Sequence, residues 1–586
     1  MDQKRLLIAI AVSIAILLGF QFLMPKPPAR PVAEVPSTSQ TVATAAPTTA
    51  AAGKPGALTD QGTIEKDAPR VRFTGPRVQG SINLLGARID DLVLRDYRDT
   101  IAPDSPLVRL LEPRTGDQPY YVQFGWTAAP GTTATLPGND TVWTASGELS
   151  GTSKLTLAWN NGAGLDFAID LALDENYMFT VAQRVTNASG AAVALYPFAR
   201  IRRDYTPVTS GYYILHEGLI GVLDGRLKEM KYPQAKTDGE KHAGLAFDST
   251  GAGGWAGFTD KYWLTALIPD QATASVASYR HISDNGDRYQ VDFVTKEPQT
   301  VAAGAAATQT TKLFAGAKEV HLLDGYAKSA PAPDFDKAVD FGWFYFITKP
   351  FFYAIDWLNS FLGNFGLAIL AFTLVLKAVF FPLANKSYRS MSKMKLLAPK
   401  MAALKEQFKD EPQKLQGAMM QLYKTEKVNP ASGCLPMIIQ IPVFFSLYKV
   451  IFVTIEMRHA PFFGWIHDLS AVDPTNVFNL FGLIPFDPSG MSHYLHLGAW
   501  PLIMGFTMFF QQKLNPPPPD PVQAKLFQFM PIIFTFMLAS FPAGLVIYWS
   551  WNNSLTILQQ WVIMRQTRLA NPNAARVLPA KQGAKS

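Results

Sequence analysis

Residues 365–382 read FGLAILAFTLVLKAVFFP. The run is about the length that crosses a bilayer core of ~30 Å, yet Lys377 stands inside it. A cation at that depth costs ~2.5–3.5 kcal/mol on insertion scales, so it faces protein or water rather than lipid tails. Thr373 lies one helical turn earlier, on the same face. Neighbouring apolar runs carry polar residues of their own: Gln440 between Pro436 and Pro442, and Asn552, Asn553, Thr556 and Gln559 or Gln560 in the last run. Spans that each present a polar face predict a shared hydrophilic chamber inside a small helical bundle. The alternative for Lys377 is snorkelling, with its long stem reaching the nearer interface. The polar residues on the other runs favour the chamber.

Outward from this run, the chain divides into a soluble half and a membrane half. In the membrane half, spans are expected at 363–384, 431–456, 497–513, 526–541 and 545–564. The apolar stretch 526–564 would be ~58 Å long as one helix, too long for a single crossing, and Pro542-Ala543-Gly544 supplies a turn signal within it. A further span, 1–24, opens the chain. There Lys4 and Arg5 precede the apolar run Leu6–Met24, which reads as an uncleaved signal anchor, with a cleaved signal peptide as the alternative.

Charge sets the orientation. The 386–427 segment holds ten Lys and Arg against four acids, the tail after Met564 holds five and none, and the 457–496 loop holds only Arg458. By the positive-inside rule, six spans put both termini, the 385–430 segment, the 514–525 loop and the 565–586 tail in the cytoplasm. The 457–496 loop and everything between the first two spans then lie in the periplasm of a two-membrane bacterium.

That first interval has three parts. Residues 25–56 are rich in Pro, Ala and Thr and read as a disordered linker. From 57 to 335, short alternating segments recur between Gly, Asn and Asp turns: LTLAW (155–159), FAIDLAL (167–173), MFTVAQRV (178–185) and YQVDFVT (289–295). They predict a large antiparallel β-sandwich. Residues 336–362, rich in Trp, Phe and Tyr around Pro350, read as an amphipathic helix on the outer membrane surface. The fold class is thus a helical polytopic membrane protein of six spans with a large periplasmic all-β domain.

Composition removes several function classes. Cys434 is the only cysteine, so there is no disulfide framework, and no lipid-anchoring cysteine lies near the N-terminus. The eight histidines show no metal-ligand spacing, and no phosphate-binding GxxxxGK[ST] loop occurs. No metal, cofactor or catalytic residue is expected, and the net charge of +7 fits membrane orientation better than recognition of a specific nucleic-acid sequence.

The 385–430 segment has helical apolar spacing on both sides of Asp410-Glu411-Pro412: Met391, Met394, Leu397, Met401 and Leu404, then Leu415, Met419 and Leu422. It predicts a helical hairpin outside the membrane. Methionine is soft and adaptable, so Met391, Met394, Met419 and Met420 are candidates for capturing an apolar substrate; the plainer reading has them packing the two helices together.

Longer stretches now carry a resemblance: GSINLLGARIDDLVLRDYRDT (80–100), EKVNPASGCLPMIIQIPVFFSLYKV (426–450), APFFGWIHDLSAVDP (460–474) and FMPIIFTFMLASFPAGLVIYWSWNNSLTILQQ (529–560). Over nearly its whole length the chain resembles the YidC/Oxa/Alb membrane-protein insertase family in its Gram-negative form. The resemblance implies an anchor helix, a periplasmic β-supersandwich and a five-helix core. It also implies a groove open to the cytoplasm and lipid, with Lys377, Thr373, Gln440, Asn553 and Thr556 at groove positions. The family's usual groove cation is Arg; Lys377 keeps the charge without the planar guanidinium fork. The implied activity is insertion and chaperoning of nascent inner-membrane proteins, alone or with the Sec translocon and its accessory subunits, with the ribosome and the phospholipid bilayer as further partners. A secondary transporter is the other reading of an intramembrane charge, against which stands the lack of an internal repeat. A membrane-anchored periplasmic sugar-modifying enzyme is a third, against which stands the lack of an acid/base pair.

Overall fold

A computed structural model describes residues 68–211, 215–284, 286–329, 332–408, 411–426, 435–484, 496–515 and 521–570. The expected anchor (1–24) and linker (25–56), Cys434 and the tail beyond 570 lie outside the described residues.

The alternating segments do form a sandwich of two antiparallel sheets. One has ten strands, running in order through Arg70–Thr74, Val78–Asn83, Arg88–Arg98, Tyr120–Ala128, Val193–Arg203, Arg288–Thr295, Ala274–Ile282 and Leu245–Ala252, with two short strands branching off. The other has nine: Arg226–Lys231, Gly218–Leu223, Trp255–Thr259, Trp263–Ile268, Ala306–Ala317, Met178–Asn187, Leu165–Leu173, Leu155–Asn160 and Thr144–Gly147. Strand Leu165–Leu173 shows why: Leu165, Phe167, Ile169, Leu171 and Leu173 are buried while the residues between them are not, the period of two that turns one strand face to the core. Trp126 of the first sheet meets Phe167 of the second edge to face at 5.0 Å, and Gln183 donates across the gap to the Gly125 carbonyl at 2.7 Å.

Alternation did not foretell the buried cations. Arg203, in the middle of the first sheet, forms two bonds to the Asp260 carboxylate at 2.8 and 2.9 Å, another to the Tyr232 hydroxyl at 2.7 Å, and lies 4.1 Å from the Tyr120 ring centre. Such a charge persists in a core because a carboxylate and a ring face replace its hydration.

His216 is a second buried polar group, its Nε2 bonded to the Leu219 carbonyl at 2.9 Å. Burial pushes the imidazole down to about 4 from the usual 6.5, against weaker opposing pulls from that carbonyl and from Asp340. The folded protein therefore keeps His216 neutral where the unfolded chain takes up a proton. Its contribution is intact above pH 6.5 and is lost as pH falls toward 4, by roughly 2–4 kcal/mol. Thermal unfolding of the full chain should show this acid loss, and His216→Gln should flatten it between pH 6.5 and 4; an unchanged pH profile in the variant would assign the loss to other groups.

Two helices belong to the β-domain: α1 (Tyr232–Lys241) on its surface and α2 (Val320–Ser329) at its exit. The helical region follows: α3 (Tyr345–Leu362), α4 (Phe365–Val379), α5 (Phe381–Gln407), α6 (Pro412–Thr425), α7 (Leu435–Val453), α8 (Ala499–Leu514), α9 (Pro521–Leu538) and α10 (Ala543–Ala570). Among the described residues no single helix is long and apolar enough to cross a membrane alone; α4 with the start of α5, as far as Met391, reaches that length as a pair bent by 67°. The bend falls at Phe380, inside the 363–384 stretch expected as one span. Pro382 explains it, because its ring lacks an N–H and clashes with the preceding turn of a continuing helix but is tolerated in the first turn of a new one. The 526–564 run also divides, between Leu538 and Ala543. There the first amides of α10 are satisfied from outside: Ala543 N–H donates to the Ala471 carbonyl at 2.7 Å and Gly544 N–H to that of Leu469 at 2.9 Å.

The two halves form one compact unit. The Glu456 carboxylate, one turn past α7, accepts from the Val320 N–H at the start of α2 at 2.8 Å. Arg458 donates to the carbonyls of Arg98 and Asp99 at 2.6 and 3.0 Å. Asp340 pairs with Lys449 of α7 at 2.8 Å while accepting from the His216 N–H at 2.9 Å.

Candidate functional site

Four helices converge on Lys377. Asn364 caps α4 by accepting from the Leu367 N–H at 3.0 Å, and its amide reaches the Pro461 carbonyl at 3.2 Å. That starts α4 at the 458–470 loop and brings Lys377 to its far end. α10 is pinned beside it, Trp551 donating to the Leu370 carbonyl at 3.2 Å. α7 and the start of α5 complete the walls.

Between them lies a cavity of about 60 Å³, room for a few waters. Its polar lining is Thr373, Lys377, Tyr388, Gln440, Asn552 and Gln559, with the Tyr548 hydroxyl beside Gln440. Lys377 donates to the Thr556 hydroxyl at 2.7 Å, and that hydroxyl in turn donates to the Asn552 carbonyl at 2.7 Å. Gln440 donates to the Tyr548 hydroxyl at 2.6 Å. Thr373 is buried and bonded to its own helix, at the Ile369 carbonyl. No carboxylate pairs with Lys377 among the described residues, and its ammonium is held by one neutral hydroxyl, that of Thr556.

The residues expected to share a chamber are thus largely brought together: Thr373, Lys377 and Gln440 line it, and Thr556 holds the ammonium. Asn553 turns elsewhere, donating to Thr507 of α8 at 3.3 Å. It follows Asn552, and one residue rotates a helix by ~100°, so only one of the pair can face the cavity. Tyr548 and Tyr388 were not anticipated. A signal existed for the first: Tyr548, Asn552 and Thr556 recur every four residues, one stripe of a helix.

α8 braces the far side of α10. Its Gly505 packs so closely on α9 that an added Cβ would lie 2.0 Å from the Thr535 hydroxyl oxygen. Gly505→Val should therefore destabilise the helical region by ~1–3 kcal/mol through overpacking, read as a lowered melting temperature in detergent. An unchanged melting temperature would show that α8 and α9 separate freely.

In the hairpin, α5 and α6 touch through the Tyr423 hydroxyl and the Met401 sulfur at 3.8 Å and through Lys400 and Glu426 at 2.6 Å. Leu397 and Tyr423 are buried, Met391, Met394 and Met419 half-buried, and Met420 is exposed.

Among the described residues no group of His, Cys, Asp and Glu is placed to hold a metal ion.

Comparison with known proteins agrees with this architecture. The family described as the YidC periplasmic domain matches residues 70–354, and the 60Kd inner membrane protein family matches 357–571. The membrane protein insertase YidC of Granulibacter bethesdensis is 59% identical over 592 aligned positions, covering 98% of this chain and 100% of its own. That of Acidiphilium cryptum is 55% identical over 523, covering 88% and 87%. A solved structure described as an active YidC insertase with the first transmembrane domain resolved aligns over 84% of this chain and 93% of its own, at 16% identity and a TM-score of 0.33. The β-sandwich followed by a helical region, with identity of this extent, leads to one conclusion: the chain belongs to the YidC family of membrane protein insertases, inner-membrane insertases and chaperones that are not enzymes and carry a periplasmic β-domain.

Proposed function

We propose that the cavity around Lys377 is the working part of a hydrophilic groove, open to the cytoplasm, along which nascent inner-membrane proteins enter the bilayer. The observation that carries this is the state of Lys377: a cation among apolar helices, bonded to a hydroxyl and to no carboxylate, leaves its charge available to a passing chain. Moving an apolar helix into lipid is downhill; the obstacle is the polar flank that must cross, with its charges and unpaired backbone groups. A wet groove shortens the dry path, and Lys377 attracts acidic residues in the flank. α8, of 16 residues, is ~24 Å long at 1.5 Å per residue, short of a ~30 Å core, which favours local thinning of the bilayer.

In this reading Thr373, Gln440 and Thr556 keep the path polar, and Asn553 acts through its bond to α8. Met391, Met394, Met419 and Met420 on the hairpin meet the emerging chain at the ribosome. The chain has six spans, with both termini cytoplasmic, and works alone or beside the Sec translocon and its accessory subunits.

The test is reconstitution. Full-length protein in liposomes, given a newly synthesised single-span protein with a short acidic flank, should render that flank resistant to external protease. Equal protection in empty liposomes would remove the reading.

A further inference from the structure

A second cleft, of about 630 Å³, opens where the β-domain meets the helical region. One wall is the end of strand Arg88–Arg98 and the turn that follows, giving Arg95, Arg98 and Thr100; the other is the loop after α7, giving His459 and His467. The charge here is poorly matched inside the protein. Arg95 donates to the carbonyls of Gly75 and Pro76, and Arg98 to that of Ser105 at 2.5 Å; neither forms an ion pair among the described residues. The one acid in the lining, Asp96, is engaged by Arg77 at 2.5 Å. His459 is held at φ +57°, a left-handed conformation uncommon outside glycine, of the kind that clusters at binding sites.

The surroundings fix the depth. The loop that carries His459 and His467 also exposes Phe463 (59%) and Trp465 (43%), and Ile101 on the opposite wall is 55% exposed. Trp and Tyr gather at the headgroup level of a bilayer, which Trp465 fits while Phe463 and Ile101 add apolar surface, and this loop lies on the β-domain side, where the family places the periplasm. The cleft therefore offers two guanidinium groups and two imidazoles, with apolar side chains at its rim, at the outer headgroup plane.

We propose that this cleft binds the phosphate of an anionic phospholipid of the outer leaflet, with the lipid's chains running past Ile101 and Pro461. Arginine suits the role because its planar fork matches two phosphate oxygens at once. A lipid held there joins the β-domain to the helical region in addition to the direct contacts between them. The inference rests on the helical region lying in a bilayer and is independent of the groove.

The test uses full-length protein purified from vesicles of mixed phosphatidylcholine and phosphatidylglycerol, with retained lipid counted by native mass spectrometry and no substrate present. Wild type and Arg95→Lys/Arg98→Lys should retain phosphatidylglycerol over phosphatidylcholine. Arg95→Gln/Arg98→Gln should lose that preference by tenfold or more, whereas Arg226→Gln, on a distant hairpin turn, should not. Millimolar inorganic phosphate should leave the lipid in place. Equal retention by the glutamine pair overturns the proposal, and so does displacement by inorganic phosphate, which would assign the cleft to a soluble anion. If the glutamine pair does not fold, Arg95→Gln and Arg98→Gln are made singly, each expected to weaken the preference severalfold, and full retention by both overturns the proposal.

Discussion

Lys377→Glu is expected to cut insertion of substrates with an acidic translocated flank by tenfold or more, while Lys377→Arg keeps it within about twofold. A flank carboxylate ~6 Å from Lys377 gains ~3 kcal/mol at an effective dielectric of 20. Reversing the sign turns that attraction into repulsion of similar size. Solvent and flank motion take back much of it, so the stated effect corresponds to ~1.4 kcal/mol. The variant still builds the same helices, since Lys377 sits at the end of α4 and touches α10 through one hydroxyl. Substrates with a neutral flank should therefore insert nearly normally. The measurement is protease protection of paired substrates differing only in flank charge. Equal loss for both would make Lys377 a packing element, and no loss for either would remove its electrostatic role.

Asp340→Ala should lower stability by ~3–5 kcal/mol, the usual cost of stranding one partner of a buried ion pair. The Asp340 carboxylate holds Lys449 of α7 on one oxygen, with the Gly342 N–H at 3.1 Å, and the His216 N–H on the other. Lys449 and Asp340 are 10% and 16% exposed, so water replaces neither partner well. The change removes the tie that holds the β-domain to the helical region at this point and takes from Lys449 the carboxylate 2.8 Å away, leaving Glu229 as a further acid in electrostatic reach. Asp340→Asn combined with Lys449→Met should recover much of the loss, because removing both charges also removes their desolvation cost. Thermal unfolding in detergent with a limited-proteolysis readout between the domains tests both. A fall of under about 2 °C for Asp340→Ala would show that the pair is solvated and dispensable.

The sequence made the sandwich legible because its strands have one face in the core. Leu165 to Leu173 alternate cleanly, and the Asn and Gly turns between such runs are unambiguous. Strand Tyr120–Ala128 was harder, since nearly every residue is buried and a strand covered on both faces loses its period. Arg200 and Arg203 were invisible as core residues, because what allows them inside is a set of partners far away in the chain, Gln123 for the first and Asp260 for the second.

The candidate site was legible for a different reason. A charge in an apolar run is expensive, so Lys377 announced itself, and the polar residues that compensate it had to lie on neighbouring helices. The stripe on α10 was also readable, yet Asn552 and Asn553 could not be told apart without the rotation of that helix about its axis. Contacts between the domains, such as Glu456 with Val320 and Arg458 with the 98–99 backbone, left no local trace. The bend at Phe380 did leave one, Pro382, but a proline at the end of an apolar run reads equally as the end of a span.

Site-specific photocrosslinking tests the groove most directly. A photoreactive residue placed at Gln440, Thr373 or Asn552 faces the cavity, while one at Val375 or Phe536, both exposed on the outer helix surface, serves as the lipid-facing control. Ribosome-stalled membrane-protein chains of increasing length are then presented to the full-length protein. Crosslinks from the cavity positions that appear and disappear with chain length are the predicted result. Crosslinks from the control positions alone, or from none, would contradict the groove as the path of insertion.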